Sequence, residues 1–279
     1  MEYCIFSKSF QTMEAEELGK TMAKLRVDGV DLTVRKGGHV QPDQIKYELA
    51  SFQEILAKQG VKISMLTTAI VEMNDETRNI VETAAKLNIK YIKLGYWKYK
   101  GFGYYKEQAK EVKKALADLE PIFRDNGVKA CFHNHSGMNM GLNVNHVLRL
   151  IENCDPEVIG VYYDVGHSTI EGSSCGWMMD LDLAKDRIFI IAVKDMAWFR
   201  IGGQNEDKKG WMMKMVPLEA GLVDWRKFAE CLNQIKFDGP VSFHSEYQGG
   251  HSWKHLTPEE IVEQTGHDLN YFRFLTEEK

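Results

Sequence analysis

Eight short β-rich runs separated by longer amphipathic segments restrict the fold of this chain more than any other feature. The runs are Tyr3–Phe6, Gly29–Val34, Lys62–Leu66, Tyr91–Leu94, Lys129–His133, Gly160–Tyr163, Ile188–Val193 and Val241–Glu246. Helical patterns lie between most of them, at Glu14–Arg26, Pro42–Lys58, Asp75–Leu87, Tyr105–Asn126, Val144–Glu152, Asp224–Ile235 and Glu259–Leu275. Apolar residues three and four apart (Leu18, Met22 and Leu25; Val112, Leu116 and Leu119) give these helices a face to bury. Gly60, Asn88 and Gly127 follow helical patterns directly, the chemistry expected of a helix stop. Nearly continuous apolar strands imply a parallel sheet covered by helices. Eight such units predict an α/β fold, a closed (β/α)8 TIM barrel rather than an open sheet. The first strand is followed by Ser7, Lys8, Ser9 and Phe10, without the Gly-rich phosphate loop of a dinucleotide fold. No linker or low-complexity tract divides the chain, so residues 1–279 form one expected domain.

Composition narrows the partners. With 44% hydrophobic residues, the 279-residue chain can bury a full-sized core. Thirty-five basic and 40 acidic side chains leave a net charge of −5 without a basic block, which argues against nucleic-acid binding. No apolar run approaches the roughly 20 residues that span a bilayer, so no membrane association is expected. The five cysteines (Cys4, Cys131, Cys154, Cys175 and Cys231) are scattered without a paired spacing, which indicates neither a disulfide framework nor a thiolate zinc site. A cytoplasmic location is expected, and the strand-like run starting almost at Met1 is equally compatible with a trimmed leader peptide.

In a closed barrel the residues that follow the strands converge at one end. Strand two ends in Arg35, with His39 beyond it, and strand five in His133, Asn134 and His135. Strand six ends in Asp164 and His167, strand seven in Lys194 and Asp195, and strand eight in His244 and Glu246. One strand-end histidine is more often a structural residue than a functional one. This many ionisable groups at one end are costly to bury unless they pair or bind a ligand. Asp164, Glu246 and a histidine of the 133–135 segment have donors suited to Mn, Mg, Co or Zn; the alternative is a hydrogen-bonded ring that binds polar substrate without an ion. Two long aromatic connections, 95–104 and 196–222, read as a lid or substrate platform, and equally permit a homodimer. Trp97 and Trp198 are candidates to stack on a sugar ring, with core packing as the alternative.

The runs VYYDVGH over 161–167, DRI from Asp186, VKD over 193–195, GLVDW over 221–225, FDG over 237–239 and SEY over 245–247 occur in this order. Together with GVDLTVR over 29–35 and GGH over 37–39, they resemble the sugar phosphate isomerase/epimerase family, the xylose isomerase-like barrels, over essentially the whole chain. The resemblance implies a divalent metal held by a Glu after strand five, an Asp after six, a His after seven and a Glu after eight. Asp164 and Glu246 match two of these positions, and His167 matches a substrate-contacting residue. The first Glu is replaced by His133, and the His before the Lys–Asp pair by Ala192. His135 is a candidate compensating ligand, and Lys194 a candidate to do the electrostatic work of a metal.

Such a site suits proton abstraction next to a carbonyl. Glu246 is expected to act as base or metal-bound carboxylate, Lys194 as the polarising cation, and His133 as ligand or acid/base partner. Arg35, His39, His135 and His167 are expected to bind sugar hydroxyls or a terminal anionic group. Isomerisation or epimerisation of a small carbohydrate is the expected reaction. Dehydration of a keto-sugar or keto-inositol on the same barrel, or a catalytically altered sugar-binding barrel, are the alternatives. A multinuclear nuclease has too few ligands here. Arg35 need not mean a phosphate ester: there is no basic cluster or helix-N-terminal Gly loop to cradle one, so an unphosphorylated sugar, ketosugar or cyclitol fits at least as well.

Overall fold

A computed structural model describes residues 1–202 and 210–277. Eight parallel strands close into a barrel: β1 (Glu2–Phe6), β2 (Gly29–Val34), β3 (Lys62–Thr68), β4 (Tyr91–Lys93), β5 (Lys129–His133), β6 (Ile159–Asp164), β7 (Ile188–Val193) and β10 (Pro240–Phe243). Closure is made by β1, which pairs with β10 from Glu2↔Pro240 to Ile5↔Phe243 and with β2 from Cys4↔Gly29 to Phe6↔Asp31. The expected barrel and its strand positions are therefore present.

Helices α1 (Ala15–Lys24), α2 (Ile45–Ala57), α3 (Asp75–Lys86), α4 (Tyr105–Asp125), α5 (Val144–Leu150), α6 (Val165–Ala184), α7 (Trp225–Gln234) and α8 (Pro258–Glu277) surround it. Local chemistry sets their ends. Asn74 caps α3 by accepting the Thr77 N–H at 2.8 Å, and Gly60, Asn88 and Gly127 adopt positive φ after α2, α3 and α4. The apolar faces read from the sequence are buried, with Leu18, Met22, Val112, Leu116 and Leu119 at 1% exposure or less. No helix among the described residues is long and apolar enough to cross a membrane. The five cysteines are free.

Two segments differ from the sequence reading. Helix α6 was not anticipated, because its Gly166, Gly172 and Gly176 and its Ser173–Ser174 pair weaken helix propensity and blur the apolar period. It bends at Ser173, where φ is 62°. The connection read as a long loop over 196–222 contains an antiparallel hairpin, β8 (Asp195–Ile201) and β9 (Gly210–Val216), in which Trp198 faces Met213 and Arg200 faces Trp211. Residues 203–209 of that connection lie outside the described residues.

Side chains alternate across each strand, so residues two apart share the barrel interior. Met65, Cys131, Tyr162, Ile190 and Ala192 fill an inner layer. Two residues further on from three of these come Thr67, His133 and Lys194, and these line a pocket above it.

Candidate active site

All eight barrel strands send side chains to one pocket at their C-terminal ends, with about 410 Å³ of empty space. Phe6 and Lys8 come from β1, Arg35 from β2, Thr67 from β3, Lys93 and Tyr96 from β4, and His133 and His135 from β5. Tyr162 comes from β6, Lys194 from β7, and His244 and Glu246 from β10.

The acidic centre lies where β6, β7 and β10 meet. Lys194, only 2% exposed, places Nζ 2.9 Å from Asp164 Oδ2 and 3.9 Å from Glu246 Oε2. Lys8 reaches Glu246 from the other side in a direct ion pair. Burial alone would raise the Glu246 pKa, but Lys194 and Lys8 override it and hold the carboxyl well below the usual carboxylate range. Asp164 is likewise lowered: burial opposes its charge, and Lys194 followed by His167 outweighs the penalty. Both groups are therefore carboxylates at neutral pH.

The histidines are neutral. Burial, reinforced by Lys194, pushes His133 and His167 well below the ordinary imidazole value, His135 down to about 4 and His244 down to about 3. Neutrality fixes the direction of two hydrogen-bond chains. His133 Nε2 lies 3.0 Å from the Asp164 carboxylate and must donate, so Nδ1 accepts from the Tyr96 hydroxyl at 2.9 Å. Below the pocket, the Tyr162 hydroxyl donates to Asp31 at 3.2 Å and lies 2.8 Å from His244 Nε2, which donates to it.

Among the residues expected from the sequence, Glu246, Lys194, His133, His135 and Arg35 meet in this pocket. Asp164 and His167 stand directly behind it: Asp164 Oδ1 accepts the His167 backbone N–H at 2.9 Å, and His167 Nδ1 meets Ser136 Oγ at 3.0 Å. His39 lies apart, bonded to Thr33 and to the Phe10 carbonyl. Trp97 packs on Phe132 with ring centroids 5.1 Å apart. Trp198 is 46% exposed on the hairpin and borders a separate groove with Leu222. Asp195, although it adjoins Lys194, faces away and accepts N–H groups of Met196, Leu222, Val223 and Trp225.

Sequence reasoning missed Phe6, Lys8, Thr67, Lys93 and Tyr162 as lining residues, whereas Tyr96 belongs to the aromatic connection read as a lid or substrate platform. The period-two alternation gives a signal for Lys8 and Thr67, which follow Cys4 and Phe6, and Met65, at that spacing. Lys93 is hidden inside the apolar run of β4. The expectation of no basic cluster is also corrected. Lys8, Arg35, Lys93 and Lys194 are distant in sequence but line one pocket.

A family profile described as xylose isomerase-like TIM barrel matches residues 20–273. An uncharacterized protein of Methanocaldococcus jannaschii, MJ1311, is 21% identical over 248 residues, which cover 83% of this chain and 80% of that one. Among solved structures, IolI protein with a binding zinc atom superposes with a TM-score of 0.73 at 18% identity, over 99% of both chains. D-psicose 3-epimerase in the presence of D-fructose gives a TM-score of 0.72 at 16% identity, again over 99% of both. These structural likenesses establish the fold.

Proposed function

The chain belongs to the xylose isomerase-like TIM barrel family, and we propose that it isomerises or epimerises a ketose or related sugar by removing a proton next to a carbonyl. The observation that carries this reading is a carboxylate beside a buried ammonium, both facing the same pocket. Glu246 is held ionised by its lysine neighbours, so it can accept a proton, although those neighbours make it a weaker base than a free carboxylate until a substrate oxygen draws Lys194 away. Lys194 Nζ, 3.9 Å away, is placed to hold the carbonyl oxygen as it gains charge. Reprotonation at the neighbouring carbon isomerises, and on the opposite face it epimerises.

The family resemblance raises the question of a divalent ion, and the donors present do not fit one. The position expected to carry a carboxylate holds His133, and the position expected to carry a histidine holds Ala192, a methyl group in the inner barrel layer. The Lys194 ammonium stands between the two remaining carboxylates. No group of three or more His, Cys, Asp or Glu side chains among the described residues is arranged to hold an ion. In this reading Lys194 is the cation of the site, and the chemistry runs through the side chains alone.

A second reading, dehydration after the same enolisation, is favoured by Tyr96. Burial, followed by Glu246 and Asp164, pushes its phenol well above the usual value, so it stays protonated in the pocket. Such a phenol is a weak acid, but its hydroxyl, now bonded to His133, can turn to hydrogen-bond a departing hydroxyl.

The test is hydrogen exchange from a panel of ketoses in deuterated water, followed by proton NMR. Exchange is expected with the wild type. Glu246→Gln should lower it by about 10²–10⁴-fold while the far-ultraviolet circular dichroism spectrum stays that of the folded wild type. Undiminished exchange in that variant removes Glu246 as the base. An ultraviolet-absorbing enone product would select dehydration, whereas sugar binding without any exchange would make the barrel a binding protein.

A further inference from the structure

The lysines that face carboxylates do not account for all the positive charge in the pocket. Lys194 is paired with Asp164, and Lys8 with Glu246. Arg35 and Lys93 make no ion pair and no side-chain hydrogen bond among the described residues; the carboxylate that acts on Lys93 is Asp31, beneath the pocket and already committed to the hydroxyls of Thr67, Ser242 and Tyr162. Each instead lies against an aromatic ring: Arg35 Cζ is 5.8 Å from the Phe6 ring centroid and Lys93 Nζ 3.5 Å from that of Tyr96. Lys93 is 2% exposed yet lines the pocket. Burying an ammonium without a directly bonded counter-charge is costly unless a ligand supplies one.

The barrel order places these two groups in relation to the chemistry. Arg35 follows β2 and Lys93 ends β4, with β3 between them, whereas Lys194 and Glu246 follow the adjacent strands β7 and β10. The two pairs occupy different arcs of one small mouth. A substrate with its carbonyl at Lys194 would therefore extend its other end toward Arg35 and Lys93.

We propose that Arg35 and Lys93 form an oxyanion-binding subsite, and that the substrate is an anionic keto-sugar bearing a carboxylate or a phosphate away from its reacting carbonyl. A guanidinium offers two parallel N–H donors to such a group, and an ammonium adds a compact charge. Burial, followed by the nearby Arg35, pushes the Lys93 pKa well below that of a free lysine, the state an arriving anion would reverse. This inference rests on the pocket being the substrate site, but its test reads binding and not turnover. A chain that binds anions and exchanges no hydrogen would sink the catalytic reading and leave this one standing.

The experiment is titration calorimetry of the full chain with three ligands: D-fructose, D-fructose 6-phosphate and 5-keto-D-gluconate. At least one charged ligand should bind about tenfold or more tightly than D-fructose, and the tighter of the two identifies phosphate or carboxylate as the source of the charge. Lys93→Gln and Arg35→Gln should each weaken that ligand by about tenfold and weaken D-fructose by much less. Inorganic phosphate should displace the charged ligand from the wild type, a measurement that decides the matter if either variant fails to fold. The proposal is overturned if D-fructose binds as tightly as both charged ligands, if neither charged ligand binds at millimolar concentration, or if folded variants bind anions as the wild type does.

Discussion

Asp31 sits beneath the pocket with its carboxylate wholly enclosed, accepting hydroxyl groups from Thr67 at 2.6 Å, Ser242 at 2.9 Å and Tyr162 at 3.2 Å. Burial raises its pKa to about 6 against those hydrogen bonds. A carboxyl whose pKa is higher when folded contributes stability that is complete below its unfolded value and is lost as pH rises through about 6. Glu246 and Asp164 act in the opposite sense, since their lowered values add stability that disappears only as pH falls through them. Asp31→Asn removes the first contribution and leaves the other two. Its melting temperature relative to the wild type should therefore rise between about pH 4 and pH 7, by a margin corresponding to up to about 3 kcal/mol. A difference that stays flat across that range would show that Asp31 titrates as it does in water. At this scale legibility depended on local contrast. Asp164, Lys194 and Glu246 stand out because each directly follows or closes an apolar run. Lys93 sits between Ile92 and Leu94, and its role depends on which way one strand residue points.

At the scale of elements, the barrel strands were readable because parallel strands buried on both faces must be almost continuously apolar. The hairpin and α6 were not, because tertiary contacts hold them. Asp195, at the start of β8, accepts four N–H groups, from Met196, Leu222, Val223 and the Trp225 indole, and so ties the hairpin to the segment that begins α7. Gly221 makes this approach sterically allowed: a Cβ there would lie 1.8 Å from Asp195 Cγ. The sequence motif over 221–225 is thus a receptor for one carboxylate. Asp195→Ala should lower the melting temperature by about 5 °C or more by stranding buried donors. Gly221→Ala should be damaging alone but much less so in the Asp195→Ala background, giving a coupling of about 1–3 kcal/mol in urea denaturation of the four proteins. Additive effects within about 0.5 kcal/mol would mean that the two residues act independently.

Taken as a whole, the molecule carries a net charge of −5 yet gathers basic groups at one end of its barrel. Its mouth has four basic side chains, Lys8, Arg35, Lys93 and Lys194, against the carboxylates of Glu246 and, just behind or beneath it, Asp164 and Asp31. The neutral histidines add no charge to this balance. That inventory cannot be read from composition, because closure of the sheet, rather than proximity in sequence, makes the four basic residues neighbours. It also decides what the mouth will hold. A divalent cation would have to displace the Lys194 ammonium from Asp164 and then remain among three further basic groups, with three carboxylates to offset all four, one of them, Asp31, committed to hydroxyls. An anion meets the opposite situation. Protein equilibrated with excess Mn2+ and then dialysed against metal-free buffer should therefore retain well under one equivalent by inductively coupled plasma mass spectrometry, and a chelator should leave hydrogen exchange unchanged. One retained equivalent, together with chelator-sensitive exchange, would show that Lys194 yields its place to an ion, and the reading of that lysine as the cation of the site would fall.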